Sequence, residues 1–266
     1  MSFISDSYNL FIRWMKKLGR NPILIFFSLF QPIIFLLLFT QLFNSLGPLL
    51  GKGVSYTVFA TAGIVLQNAF SSAFQSGTAV VDDIRSGFLT KMLATPVNRS
   101  AILFGRILSD IFRVVVQTII ILVLAYALGV FPETGILGYI VVIVTVAAFG
   151  LAWSGISLAL GLKTKSAETV FGIAGFLTFP LLFMSTALVT TGIMPGWMQN
   201  VSNYNPISFA VNAIRNAIMG CPPDHIAANC TTGFDWSTIL QAYGVIALIG
   251  VLTLGATLYL FRKVVS

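Results

Sequence analysis

Charge is scarce in this sequence. Only 9% of its 266 residues are Asp, Glu, Lys or Arg, where soluble domains carry about 25%. Hydrophobic residues make up 57%, and the mean hydropathy is +0.93. A water-facing surface cannot be built from that composition, and no polar stretch is long enough to enclose a soluble core of its own. Histidine occurs once, at His225, and cysteine twice, at Cys221 and Cys230. With no HExxH and no His or thiolate cluster, a metal site is not expected, and no Ser-His-Asp set can be assembled. A phosphate-binding loop is missing as well. The run Gly47-Pro-Leu-Leu-Gly51-Lys52-Gly53 has three residues between its glycines instead of four and no Ser or Thr after Lys52. No cofactor is therefore expected on this chain, and any ATP that drives it is bound elsewhere.

What the sequence does have is long apolar blocks of the length a bilayer core requires. They predict an all-α polytopic membrane protein, a single transmembrane domain over 1–266, with spans at 23–43, 56–80, 107–129, 137–161, 169–191 and 238–261. Of the 15 Lys and Arg residues, only Lys52 and Arg215 fall on one side of these spans. The others all fall on the opposite side, which makes that side cytosolic. With six spans both termini are then expected in the cytosol, and the location is the cytoplasmic (inner) membrane. Positive charge beside membrane spans, rather than on one patch, gives no reason to expect nucleic acid as a partner.

Residues 1–20 wind into an amphipathic helix. Ile4, Leu10, Phe11, Trp14, Met15 and Leu18 share one face, and Asp6, Asn9, Arg13, Lys16, Lys17 and Arg20 the other. Such a basic helix lies in the membrane interface rather than being a cleavable leader. It either anchors the chain or docks a cytosolic partner. Asn21-Pro22 ends it and opens the first span.

Span two carries two polar rows at helical spacing, Gln67/Ser71/Gln75 and Asn68/Ser72/Ser76. Polar groups avoid lipid, so this seam faces a water-accessible pathway or neighbouring helices. Span five is rich in aromatic residues, including Phe176, Phe179 and Phe183, which either line a greasy path or pack against lipid and protein. In the long loop 192–237, the apolar stretch Ile207–Met219 is too short to cross and reads as re-entrant or interfacial. Cys221 and Cys230 share the oxidising side and are expected to form a disulfide worth about 2–3 kcal/mol.

Residues 82–106 read as helix, turn, helix. Asp82 or Asp83 is expected to cap the first helix, and Thr95-Pro96 to stop it and start the next. Ile84, Phe88, Leu89, Met92 and Leu93 form an apolar face that either enters a partner's groove or lies on the bilayer. The order is an acidic residue, Arg85-Ser86-Gly87, a hydrophobic stretch, Thr95-Pro96-Val97, a basic residue, and Gly105-Arg106 ahead of Asp110. This order, with Asn205-Pro206 and Ala213-x-Arg215 before the last span, resembles type 2 ABC exporter permeases, the family of daunorubicin-resistance membrane subunits. The resemblance implies a cytosolic coupling helix touching an ABC nucleotide-binding ATPase subunit. The coupling residues would come from Asp82, Asp83, Ile84, Arg85, Phe88, Leu89 and Met92. It implies ATP and Mg on that partner, a second permease chain (identical or paralogous), and no enzymatic activity in this chain. It also implies ATP-driven export of a hydrophobic drug, antibiotic or lipid, with polysaccharide export as the neighbouring possibility. Outside that class, an ion-coupled carrier or channel, or a membrane scaffold, are the alternatives. The spans show few ionisable residues at mid-depth, which weakens the ion-coupled reading.

Overall fold

The computed structural model describes residues 3–43, 56–95, 97–220 and 234–265. Those residues are helical, joined by turns and short irregular links. The elements are α1 (Phe3–Gly19), α2 (Pro22–Leu42), α3 (Tyr56–Arg85), α4 (Phe88–Leu93), α5 (Arg99–Ala127), α6 (Ile136–Thr164), α7 (Ala167–Phe183), a 3-10 turn (Thr191–Ile193), α8 (Gly196–Tyr204), α9 (Pro206–Met219) and α10 (Trp236–Val265). Five of them, α2, α3, α5, α6 and α10, are long and apolar enough to cross a membrane. The shorter apolar α7 completes the six spans. Cys221, Cys230 and His225 lie outside the described residues.

The central helix is α3, buried along most of its length. It packs against α6 where Gly77 meets Ser157 backbone to backbone. A Cβ at Gly77 would occupy the space of the Ser157 carbonyl oxygen. The Ser157 hydroxyl accepts from the Gly77 N–H at 2.9 Å and donates to the Phe74 carbonyl at 2.8 Å. Small residues of this kind let membrane helices approach closely. On the other side of α6, Thr253 and Thr257 of α10 donate to the carbonyls of Ala152 and Gly155 at 2.8 and 2.7 Å.

The fifth span is shorter than expected. Pro180 removes one helical hydrogen bond, and α7 ends at Phe183 rather than near residue 191. Asn205 holds that end. Its amide donates to the carbonyls of Leu181 and Met184 at 2.7 and 3.2 Å, while its oxygen caps α9 by accepting from the Ile207 N–H. The following α9 is buried on nearly every side, against α3, α6 and α10.

The basic end of the bundle departs from expectation in three places. In α1, the buried stripe is Asp6, Leu10 and Trp14, while Ile4 is 78% exposed. That stripe packs on α5, where Gly105 admits Leu10, and Asp6 accepts from the Asn98 N–H at 3.2 Å. Packing against protein, not lipid, thus sets the buried face. Asp82 and Asp83 cap nothing. They sit in the last turn of α3, and α4 starts instead after Gly87, whose φ of 66° makes the break. The cap of α5 is Asn98, which accepts from the Ser100 N–H at 3.0 Å, and not Thr95, whose hydroxyl donates back to the Met92 carbonyl.

Candidate functional site

A cavity of about 790 Å³ lies between α1, α2 and α3, with α5 and α7 contributing to its wall. Along α3 it reaches from Asp82 to Ile64. At 1.5 Å per residue that is about 27 Å, close to the thickness of a hydrocarbon core. The α3 wall is polar: Gln67, Ser71 and Gln75, each half-buried. The side formed by α2 and α7 is mostly apolar, with Phe27, Pro32, Phe35 and Phe171, and also carries Ser28 and Gln31.

The two polar rows of α3 separate by partner. The Gln67/Ser71/Gln75 row turns to the cavity. The Asn68/Ser72/Ser76 row is buried and hydrogen-bonded to α5. Ser72 donates to the Gln117 carbonyl oxygen at 2.7 Å and Asn68 to the same atom at 3.4 Å. The Gln117 amide then donates to Ser28 of α2 at 2.9 Å. Ser76 donates to Asp110.

Asp110 is the centre of a buried ion cluster that sequence reasoning did not assemble. Arg106 donates to it from Nε and Nη2, both at 3.1 Å, and Arg113 Nη2 stands 3.5 Å away. Arg113 also donates to the Ser72 carbonyl at 2.7 Å and to the Gln75 side-chain oxygen at 3.2 Å, whereas its buried Nε has no partner among the described residues. Arg106, Asp110, Arg113 and Gln117 recur at spacings of four, three and four, one face of a helix. That spacing is the signal the sequence carried. One carboxylate serves two guanidiniums, and both arginines line the cavity.

A second set of contacts ties α1 to the α3–α4 junction. Lys17 Nζ lies 3.3 Å from the buried Asp83 carboxylate. The Arg13 guanidinium sits 3.2 Å over the Phe88 ring, and burial pulls its pKa down, opposed by the nearby Asp83. Arg85 pairs at 3.2 Å with Glu168 in the first turn of α7.

The expected coupling residues divide in two. Ile84, Phe88, Leu89 and Met92 pack into a cluster with Leu10, Ile102, Leu162 and Phe261 of the same chain. Leu89 and Met92 are buried there, and Ile84 and Phe88 are half-buried. Asp83 is buried too. Asp82, Arg85, Ser86, Thr90 and Lys91 are exposed. The expected pathway residues divide similarly. Gln67, Asn68, Ser71, Ser72 and Gln75 all touch the cavity, but Phe176, Phe179 and Phe183 project from the exposed side of α7, and only Phe171 of that helix's aromatics lines it.

The family profile described as ABC-2 type transporter matches residues 8–219, from α1 through α9. The chain belongs to the ABC-2 type transporter family. This ABC-2 chain is 32% identical over 208 residues to the daunorubicin resistance ABC transporter permease protein DrrB1 of Streptomyces coeruleorubidus, covering 78% of this chain and 73% of that one. It is 28% identical over 217 residues to a probable doxorubicin resistance ABC transporter permease protein, DrrC, of Mycobacterium tuberculosis, covering 79% and 75%. It is thus a multi-pass membrane subunit of an ABC transporter. Both the cavity and the ion cluster fall inside the stretch that the ABC-2 profile matches.

Proposed function

We propose that this permease is the translocating subunit of an ATP-driven exporter that moves a hydrophobic drug, antibiotic or lipid across the cytoplasmic membrane. The observation that carries the reading is the cavity itself, polar on its α3 wall and mostly apolar on the α2 and α7 side, running about 27 Å along α3. An amphiphile can move along such a path with its polar part on Gln67, Ser71 and Gln75 and its apolar part on Phe27, Phe35 and Phe171. A strongly hydrated polysaccharide fits the aromatic wall less well. Two permease chains, identical or paralogous, would assemble with two ATPase subunits that hold the ATP and Mg.

The positive-inside bias supports placing the basic end in the cytosol, with residues 192–237 outside. There the exposed residues Asp82, Arg85, Ser86, Thr90 and Lys91 present the surface an ATPase subunit would press. The buried face of α4 would pass that push to α1 and α5, and the Arg85–Glu168 pair to α7. Tilting these elements as rigid bodies would switch the cavity between inward and outward access.

The test is native mass spectrometry of the complex extracted gently from its own membranes, paired with ATP-dependent efflux from inverted vesicles. Two copies of this chain with two ATPase chains, and efflux that needs ATP, support the proposal. Efflux that follows an imposed ion gradient without ATP overturns it.

A further inference from the structure

The buried ion cluster on the cavity wall holds two guanidiniums and one carboxylate. Arg106 and Arg113 share the single carboxylate of Asp110, and the Arg113 side chain is nine-tenths buried with Nε unpartnered among the described residues. Lys17 adds a third cation to the wall, backed by the buried Asp83. Asp82 is the one carboxylate among the described lining residues, and it lies at the basic end of the cavity. A separate groove of about 540 Å³ adjoins on the polar face of α1. Among the described residues its wall holds Arg13, Lys16, Lys17 and Arg20 and no carboxylate. Lys17 belongs to both spaces.

We infer that the ligand of this cavity is an amphiphile with an anionic headgroup, a phosphate or similar oxyanion, rather than a cationic one. The inference rests on the export reading above and narrows its substrate class. A buried guanidinium in excess of carboxylate is stabilised by an anion that supplies charge-assisted hydrogen bonds. Next to Arg113, the Gln75 amide adds a donor for an oxyanion. The apolar chain of the ligand then lies against Phe27, Phe35 and Phe171. The α1 groove gathers the same headgroup from the membrane surface, as clusters of Lys and Arg on interfacial helices do. Lys17 stands where the groove meets the cavity.

The test uses two photoreactive probes of equal chain length on the intact complex in its membranes: a diazirine-bearing dodecyl phosphate and its trimethylammonium counterpart. Labelled peptides are mapped, and the readout is the ratio of the two probes, which does not depend on how much protein survives a substitution. The phosphate probe is expected to label the α2 and α3 cavity walls in about tenfold preference to the ammonium probe, equivalent to about 1.4 kcal/mol. The ratio is expected to fall severalfold in Lys17→Gln and, independently, in Arg113→Gln. Equal or stronger labelling by the ammonium probe overturns the charge preference while leaving the export reading intact. Cavity walls labelled by neither probe overturn both. Phosphate labelling confined to α1, or erased by excess inorganic phosphate, shows a surface lipid contact or a free-phosphate site instead and overturns the inference.

Discussion

Lys17 of α1 reaches across to Asp83 of α3 at 3.3 Å, and the two residues differ sharply in exposure. The lysine side chain is half-exposed at 53%, the aspartate almost fully enclosed at 6%. The pair is therefore asymmetric, because water can replace the aspartate as partner to the lysine but cannot easily replace the lysine as partner to the aspartate. Lys17→Gln is expected to destabilise the permease by about 1–2 kcal/mol, less than for a fully buried pair. Adding Asp83→Asn to it is expected to recover part of that loss. Thermal unfolding of the four proteins of the double-mutant cycle in detergent measures the coupling.

The inward face of α4 makes a second prediction. Leu89 is 7% exposed and packs against the permease's own helices. Leu89→Asp buries a charge without a partner and is expected to cost more than about 3 kcal/mol, lowering the unfolding temperature whatever the partner does. Lys91→Glu, on the exposed side, is expected to change stability by less than about 0.5 kcal/mol. If the proposed ATPase contact is correct, it also lowers efflux and crosslinking to that subunit. Loss of stability in Lys91→Glu would place that side chain in the fold rather than at the contact.

Asp110→Asn tests the ion cluster. Removing the one acid between Arg106 and Arg113 leaves two buried guanidiniums facing each other, a loss of about 3–5 kcal/mol. Ser76→Ala removes only one hydroxyl donor to the same carboxylate and is expected to cost about 1 kcal/mol. Unfolding temperatures of the two variants should fall in that order.

At the start of α10, Asp235 accepts from the Ser237 and Thr238 hydroxyls, both at 2.6 Å, and from the Ser237 N–H at 3.0 Å. These bonds hold its carboxyl below the ordinary aspartate value. A folded-state pKa that is depressed gives stability that is present above the unfolded value, about 3.9, and lost as pH falls through the folded value. Amide protection in the first turn of α10, taken relative to the intrinsic exchange rate at each pH, is therefore expected to fall on acidification. Asp235→Ala, which removes a helix cap worth about 1 kcal/mol, is expected to show low protection at every pH.

The spans were legible in the sequence because a bilayer demands long apolar runs and helices satisfy their own backbones. The polar seam of α3 was legible for the same reason, since six polar residues on one face have no place in lipid. Its division into a cavity row and an α5 row was not, because that depends on where Ser28, Gln117 and Asp110 stand on other helices. The direction of the α4 face was also hidden. Periodicity shows that Phe88, Leu89 and Met92 share a side, and only the neighbours Leu10, Leu162 and Phe261 show that the side faces inward. The same holds for α1, where Gly105 on α5 selects Asp6 and Leu10 over Ile4.

At the opposite end of the bundle, Arg215 of α9 is buried without a carboxylate among its described partners. Its Nη2 donates to the Ala187 carbonyl at 3.0 Å, its Nε to the Phe59 carbonyl at 3.5 Å, and its guanidinium stacks 3.5 Å over the Phe59 ring. The two ends of the protein are thus fastened by different physics. Where Lys17–Asp83 and Arg85–Glu168 reach solvent, dissolved ions compete for the pairing and weaken it as salt rises. At Arg215 no opposite charges have to be parted, so salt has little to screen. Raising ionic strength is expected to loosen α1 and the α3–α4 junction while leaving α9 as it was, a difference that amide exchange in low and high salt reads directly.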